Sequence, residues 1–219
     1  MLKQKIAVIG SGISGLSAAF FLSNKFDVHL FEKNSDLGGH TCTKFVKEAN
    51  NYYPIDTGFI VFNEINYPDL VKFFEYLDIR LGNSDMSFGV SNFKPRLEYG
   101  GKNIFSLFAL PKNFFSLKYL KMLKEIYKFY KLCNSIKLKK NLSNTTLGTF
   151  LDENNFSDYV RRFHINPMIS SIWSSNQSDI ENFPLVFFIN FFKNHGLFNL
   201  QQRPKWRYIV GGSKKYIDA

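Results

Sequence analysis

Three glycines, Gly10, Gly12 and Gly15, constrain the fold of this chain more than any other feature. They sit between two apolar runs. Residues 5–9 (Lys-Ile-Ala-Val-Ile) read as a short buried parallel strand. Residues 13–22 are small and apolar at helical spacing, and Asn24-Lys25 ends that helix. Residues 28–31 read as a second strand, closed by Glu32 and Lys33. Strand, turn, helix and strand in this order make one βαβ unit. Each glycine has a physical task. Gly10 permits the tight turn, Gly12 lets the backbone approach a pyrophosphate, and Gly15 lets the helix pack close to the strand. With Ser11, Ile13 and Ser14 they form a loop whose free N–H groups, at the positive end of a helix, suit phosphate. Glu32 is placed to accept hydrogen bonds from ribose hydroxyls and would repel a 2′-phosphate, which disfavours NADP.

That fingerprint serves NAD and FAD alike. The segment that follows, Asp36-Leu37-Gly38-Gly39-His40-Thr41, separates them. An acidic residue followed by a turn ending in Gly-Gly resembles the FAD-dependent amine oxidase and phytoene desaturase superfamily. Its members carry Gly-Gly-Arg against the phosphate and ribityl region of the cofactor. His40 stands at the arginine position, so the permanent charge is lost. His40 as a hydrogen-bond donor to the cofactor and His40 as a partly exposed loop residue both stay open. The segments DTGFIVFN (from Asp56), SDMSFGVS (from Ser84), PMISSIWS (from Pro167), NHGLF (from Asn194) and RPKWRYIVGGS (from Arg203) look like one branch of that superfamily. This is a group of bacterial predicted NAD/FAD-binding proteins associated with cyclopropane-fatty-acid synthase.

The resemblance implies an α/β fold. A Rossmann-like FAD-binding βαβ start with an incomplete parallel sheet would be joined to a β plus helical substrate-side domain. It implies FAD as cofactor, held by Gly10, Ser11, Gly12, Ile13, Ser14, Gly15, Glu32, Lys33, Gly38, Gly39, His40 and Thr41. Asp56, Thr57 and Gly58 would lie near the flavin; as residues alone, they read equally as a strand-end turn. It implies oxidation of a C–N or C–C bond by hydride transfer to flavin, on a fatty-acyl or other apolar substrate. Trp173, His195 and Trp206 would be substrate-side, although each also reads as a core residue. Family members are about twice as long, so the chain reads as truncated at its C-terminus. Two other functions stay open: an NAD-dependent dehydrogenase, and a non-catalytic flavin-binding partner of a lipid-modifying enzyme. No Ser-His-Asp order, paired carboxylates or reactive-cysteine context marks a catalytic acid, base or nucleophile.

Composition adds bounds. Cys42 and Cys133 form no CxxC and no paired framework, which fits a reducing cytoplasm. His29, His40, His164 and His195 lack metal-ligand spacing, so no metal site is expected. The net charge of +10 comes without a helix-turn-helix, zinc or RNP motif, so no nucleic-acid partner is expected. The most apolar later stretch, residues 183–192, is broken by Asn190 and is too short for a bilayer, which needs ~20 residues. The aromatic share of 17% reflects large buried surfaces, a roomy apolar pocket or base composition. Lys118, Lys121, Lys124, Lys128 and Lys131 recur at i+3 and i+4 and share one helix face. Leu120, Leu123, Ile126, Tyr127 and Tyr130 are expected on the opposite face. Such a helix rests on anionic lipid at the inner membrane face, or packs on a core and leaves its lysines in water.

The remaining elements are expected as follows. An alternating stretch spans residues 52–62 and a helix spans 69–77. Short strands lie near 80–81, 87–90 and 97–99. Helices run over 114–133, 146–153, 156–163 and 184–194, with a polar loop over 136–145. The organisation expected is the N-terminal part of an FAD domain over 1–66, a helical substrate domain over 67–205, and a return over 206–219.

Overall fold

The computed structural model describes residues 3–136, 144–173, 176, 179–199 and 204–219. Most of the expected 136–145 loop, with Ser174 and Arg203 of the quoted motifs, lies outside the described residues. The chain divides into two compact units, Met1–Asp85 with Lys205–Ala219, and Met86–Pro204.

The first unit opens as the glycine pattern requires. Strand β1 (Lys5–Ile9) leads into helix α1 (Ile13–Ser23) and strand β2 (Asp27–Phe31), which pairs parallel with β1. Ile6, Val8, Val28 and Leu30 are half-buried, while Ala7, Ile9 and Phe31 on the other face are exposed. The strand expected to be buried on both faces is therefore covered on one among the described residues.

A hairpin follows, β3 (Thr43–Glu48) antiparallel to β4 (Asn51–Asp56). Only its second strand is signalled by the sequence, because Thr-Lys-Phe-Val-Lys-Glu in β3 lacks a clean apolar face. Strand β5 (Phe62–Asn63), helix α2 (Pro68–Tyr76) and strand β6 (Leu81–Ser84) complete this stretch. Residues 67–85, placed with the second domain from the sequence, lie in the first unit. Aromatic edges hold α2 on α1: Phe20 meets Phe73 and Tyr76 at centroid distances of 5.6 and 5.7 Å.

The second unit begins with the antiparallel pair β7 (Gly89–Asn92) and β8 (Leu97–Gly100). Helix α3 (Ile104–Leu107) is capped by Asn103, and a 3₁₀ turn over Pro111–Phe115 precedes helix α4 (Leu117–Ser135). Ser116 caps α4, its side chain accepting from the Tyr119 N–H. Helix α5 (Leu147–Glu153) is capped by Thr146. Helix α6 (Asp158–Val160), a π-helical turn over Arg161–Ile165 and helix α7 (Asn166–Trp173) then run on without a break. The sequence places one helix over 156–163 and misses α7. Helix α8 (Leu185–Asn194) closes the unit. The core is aromatic, with Phe129, Phe188 and Phe192 fully buried among the rings of Phe150, Phe156 and Phe198.

The chain then returns to the first unit. Strand β9 (Trp206–Ile209) lies between β5 and β6, antiparallel to both, and a short helix α9 (Lys215–Asp218) follows. Arg207 ties the three strands together. Its Nε donates to Glu64 at 2.8 Å and its guanidinium also reaches Asn83. Phe62, Phe74, Ile209 and Tyr216 form the small core there.

One polar network lies inside the second unit. Tyr99 Oη donates to the Phe163 carbonyl at 2.8 Å, so it accepts from His164 Nδ1–H at 2.9 Å. The Tyr130 hydroxyl lies 3.0 Å from His164 Nε2 and 3.3 Å from Met168 Sδ; with the proton on Nδ1, the imidazole nitrogen is the stronger acceptor and takes the Tyr130 hydrogen. Burial holds the ring neutral and lowers its pKa from 6.5 to about 3. The unfolded chain takes up this proton below pH 6.5 and the folded chain does not. Stability therefore falls as pH drops from 6.5 toward 3. Tyr130→Phe leaves Nε2 without a donor and lowers stability by about 1–3 kcal/mol in urea unfolding. His164→Gln also destabilises, but flattens the slope of stability against pH in that window.

Candidate dinucleotide site

The turn after β1 is built as a phosphate cradle. Gly10 adopts φ +93°, outside the range of ordinary residues, and its N–H donates to the Phe31 carbonyl at 2.7 Å. A Cβ on Gly15 would stand 1.9 Å from the Gly10 carbonyl oxygen, so only glycine lets α1 start this close to the strand. At Gly10 and Gly12 a Cβ would meet nothing within 4 Å. The space above the turn is open where the pyrophosphate of a dinucleotide belongs. Gly12 is the N-cap of α1 and has no side chain to satisfy the first-turn N–H groups of Ile13 and Ser14.

Glu32 stands at the end of β2 and faces this turn. Its Oε2 accepts from Ser11 Oγ at 2.6 Å and from Ser11 N at 2.8 Å, and its Oε1 accepts from Asn34 N at 2.9 Å. The Ser11 hydroxyl first, then the Asn34 and Ser11 N–H groups, lower its pKa from 4.5 to about 2. Oε1 keeps an acceptor lone pair, as a hydroxyl donor requires. The bonded carboxylate adds stability at pH values above its ordinary 4.5 and loses it as pH falls toward 2.

The Gly38-Gly39 turn is locked against the same loop. Gly38 N donates to the Ser11 carbonyl at 3.0 Å, and a Cβ on Gly39 would lie 2.9 Å from Gly12 Cα. Thr41 is buried, with its hydroxyl 2.6 Å from Tyr216 Oη. His40 and Lys33 are exposed. Thr57 donates through N and Oγ1 to the Cys42 carbonyl, and a Cβ on Gly58 would strike the His40 carbonyl oxygen at 1.9 Å. Asp56 is bound inward. Its carboxylate accepts from Ser213 N, Ser213 Oγ and Thr43 Oγ1. Residues 10–15, 32, 38–41 and 56–58 are thus joined by direct contacts into one site.

Sequence reading missed Thr43, Ser213 and Tyr216, which hold that site from behind. A Cβ at Gly212 would meet the Thr43 side chain at 2.5 Å, and Gly211-Gly212 was the available signal. Trp173 and His195 lie in the second unit. Trp173 packs on Phe183, Phe187, Phe191 and Phe192. His195 stacks on Phe191 at 4.0 Å and donates from Nδ1 to its carbonyl. Trp206 belongs to β9 in the first unit. Among the described residues, no group of three His, Cys, Asp or Glu side chains could hold a metal ion.

Cradle, helix terminus and carboxylate together form a Rossmann-like βαβ start. Residues 8–77 match the model of the NAD(P)-binding Rossmann-like domain family. The fold is shared with solved proteins of low sequence identity. It is similar to putrescine oxidase, at a TM-score of 0.66 and 16% identity over 99% of this chain and 48% of that one. It is similar to cyclohexylamine oxidase from Brevibacterium oxydans IH-35A, at 0.65 and 21% identity over the same shares. It is also similar to a CLA-producing fatty acid isomerase from P. acnes, at 0.58 and 14%, again over 99% and 48%. The chain spans about half the length of these solved structures. No curated protein sequence matches it.

The glycines separate two effects that substitution usually confounds. Gly12→Ser enters open space at an N-cap position that serine favours, so the cofactor-free protein keeps its stability within about 0.5 kcal/mol in urea unfolding. Dinucleotide binding, read by titration calorimetry, is nevertheless lost. Gly15→Ala drives Cβ into the Gly10 carbonyl and costs about 1–3 kcal/mol with no ligand present.

Proposed function

We propose that the first unit holds FAD and that the protein is a flavin-dependent oxidoreductase. The observation that carries this reading is the Gly38-Gly39 turn, hydrogen-bonded to the glycine cradle and packed on Gly12. A second glycine turn there fits the longer diphosphate and ribityl chain of FAD, and the amine-oxidase-like fold supports the same choice. The residues present fit the group. Gly10, Gly12 and the α1 N-terminus would receive the diphosphate, and Glu32 the adenosine ribose. The region of Gly39, His40, Thr41 and Asp56 to Gly58 would lie toward the flavin. Bound flavin supplies a hydride acceptor. The chain's own part is to bind and orient: Ser11 holds Glu32 ionised, and Asp56 anchors the Ser213 segment.

The reaction proposed is oxidation of a C–N or C–C bond in an apolar substrate such as a fatty-acyl chain. Solved proteins of this fold are named for amine oxidation and for fatty acid isomerisation, which supports that range. Trp173, His195 and Trp206 are proposed as substrate-side aromatics. Cys42 and Cys133 are free thiols, which supports a cytoplasmic site of action.

Titrating the purified chain with FAD and with NAD tests the reading. FAD binds with the absorbance and fluorescence changes of a protein-held flavin, and Glu32→Gln weakens it about tenfold or more, by loss of charge-assisted hydrogen bonds. Binding of NAD in preference to FAD overturns the flavin assignment.

A further inference from the structure

Helix α4 is more than a core helix. Its inward face is filled by Tyr119, Met122, Phe129, Tyr130 and Cys133, all buried in the second unit. The apolar side chains are not all opposite the lysines, as the sequence pattern suggested: Leu120 is 39% and Tyr127 58% exposed. Leu117, Lys121, Lys124, Lys128 and Lys131 follow one another at i+3 and i+4 along the outward face, with Leu120 and Tyr127 beside them. These four lysines lie around an open depression on this face with Glu125, Tyr127 and Leu132. Glu125 is already engaged by the Ser157 N–H and hydroxyl. Lys128 is turned onto the Asn154 carbonyl and the Phe156 ring. Lys121, Lys124 and Lys131 make no ion pair among the described residues.

The segment leading into α4 presents large apolar side chains to solvent. Phe105, Phe115 and Leu117 are 85%, 89% and 84% exposed, and Ile104 and Phe114 are also exposed. The segment that carries them is itself packed: Phe108 stacks on Phe114 at 3.8 Å, and the Tyr119 hydroxyl donates to the Leu107 carbonyl. Phenylalanine and leucine in water at this density cost free energy that an adjoining apolar phase returns. Lysines alone would suit any polyanion. Lysines bordered by exposed Phe and Leu match a surface whose outer layer is anionic and whose interior is hydrocarbon.

We propose that the outward face of α4, with Phe105, Phe115 and Leu117 as apolar anchors, docks this protein on an anionic phospholipid bilayer. The rings enter the headgroup boundary, and Lys121, Lys124 and Lys131 reach lipid phosphates while their stems cover the apolar surface. The proposal uses only the second unit and does not rest on the flavin reading, so either can fail alone.

Co-sedimentation of the 219-residue chain with phosphatidylcholine vesicles, with and without about one-third phosphatidylglycerol, tests it. The chain should pellet with the anionic vesicles, release at high salt and leave the neutral ones. The triple variant Lys121→Gln, Lys124→Gln, Lys131→Gln should weaken partition on the order of 100-fold, at a contribution of roughly one decade or less per lysine. Phe105→Ser, Phe115→Ser, Leu117→Ser should weaken it on the order of 100-fold through lost apolar insertion. All six positions are exposed, so far-UV circular dichroism should stay unchanged. Equal partition onto neutral vesicles, or no partition onto either, overturns the proposal. So does a triple variant that binds like the parent. Tighter binding to a single-stranded oligonucleotide, sensitive to the lysine but not the Phe and Leu changes, identifies a nucleic-acid face instead and also overturns it.

Discussion

Strand β9 lies between β5 and β6, and among the described residues it is the strand partner of both. Trp206 to Ile209 supply the main-chain partners of both neighbours, and Arg207 adds side-chain bonds to Glu64 and Asn83. The same return delivers Ser213 to the Asp56 carboxylate and Tyr216 to Thr41. These contacts join residues more than a hundred positions apart and place one wall behind the glycine cradle. Loop-closure entropy rises only slowly with length, so a long excursion through the second unit adds little to the cost of this closure.

The two units are held together internally by different physics. The first relies on glycine-mediated approach and on charge-assisted hydrogen bonds at two carboxylates, Glu32 and Asp56. Its apolar core is small: Phe62, Phe74, Ile209 and Tyr216 with half-buried neighbours. The second relies on aromatic packing, with one satisfied polar network around His164. Part of the aromatic share, which the sequence left between buried surface, pocket and base composition, is taken up by this packing. Phe129, Phe150, Phe156, Phe188, Phe192 and Phe198 meet one another there. Phe105 and Phe115 stay outside it and are exposed ahead of α4.

Local signals were legible and non-local ones were not. The β1, α1 and β2 order could be read because three glycines, an apolar strand and a carboxylate fall within one short unit. Register places Glu32 at the end of β2, and its contacts with Ser11 and Asn34 are ones that register alone does not show. Strand β3 carried no alternating pattern, because its residues are mostly exposed in a two-stranded hairpin. Helix α7 was hidden because the π-helical turn over Arg161–Ile165 shifts the apolar phase, so a 3.6-residue period does not carry from α6 into α7. Ser213 and Tyr216 could not be assigned, since nothing local marks a residue whose partner lies at the other end of the chain.

The phase of α4 shows how a face is decided. Counting lysines at i+3 and i+4 located the polar side correctly, but treated every apolar residue as its opposite. A helix buries only an arc, and here that arc runs through Tyr119, Met122, Phe129 and Cys133. Leu120 and Tyr127 fall outside it, while inside it Phe129 meets Phe150, Phe156 and Phe188. The apolar residues left over are then set by geometry beside the lysines. An amphipathic count made on the sequence reports what a helix could bury. Which of those side chains stay in water is decided by the width of the partner surface, and that width is a property of the packed unit rather than of the helix.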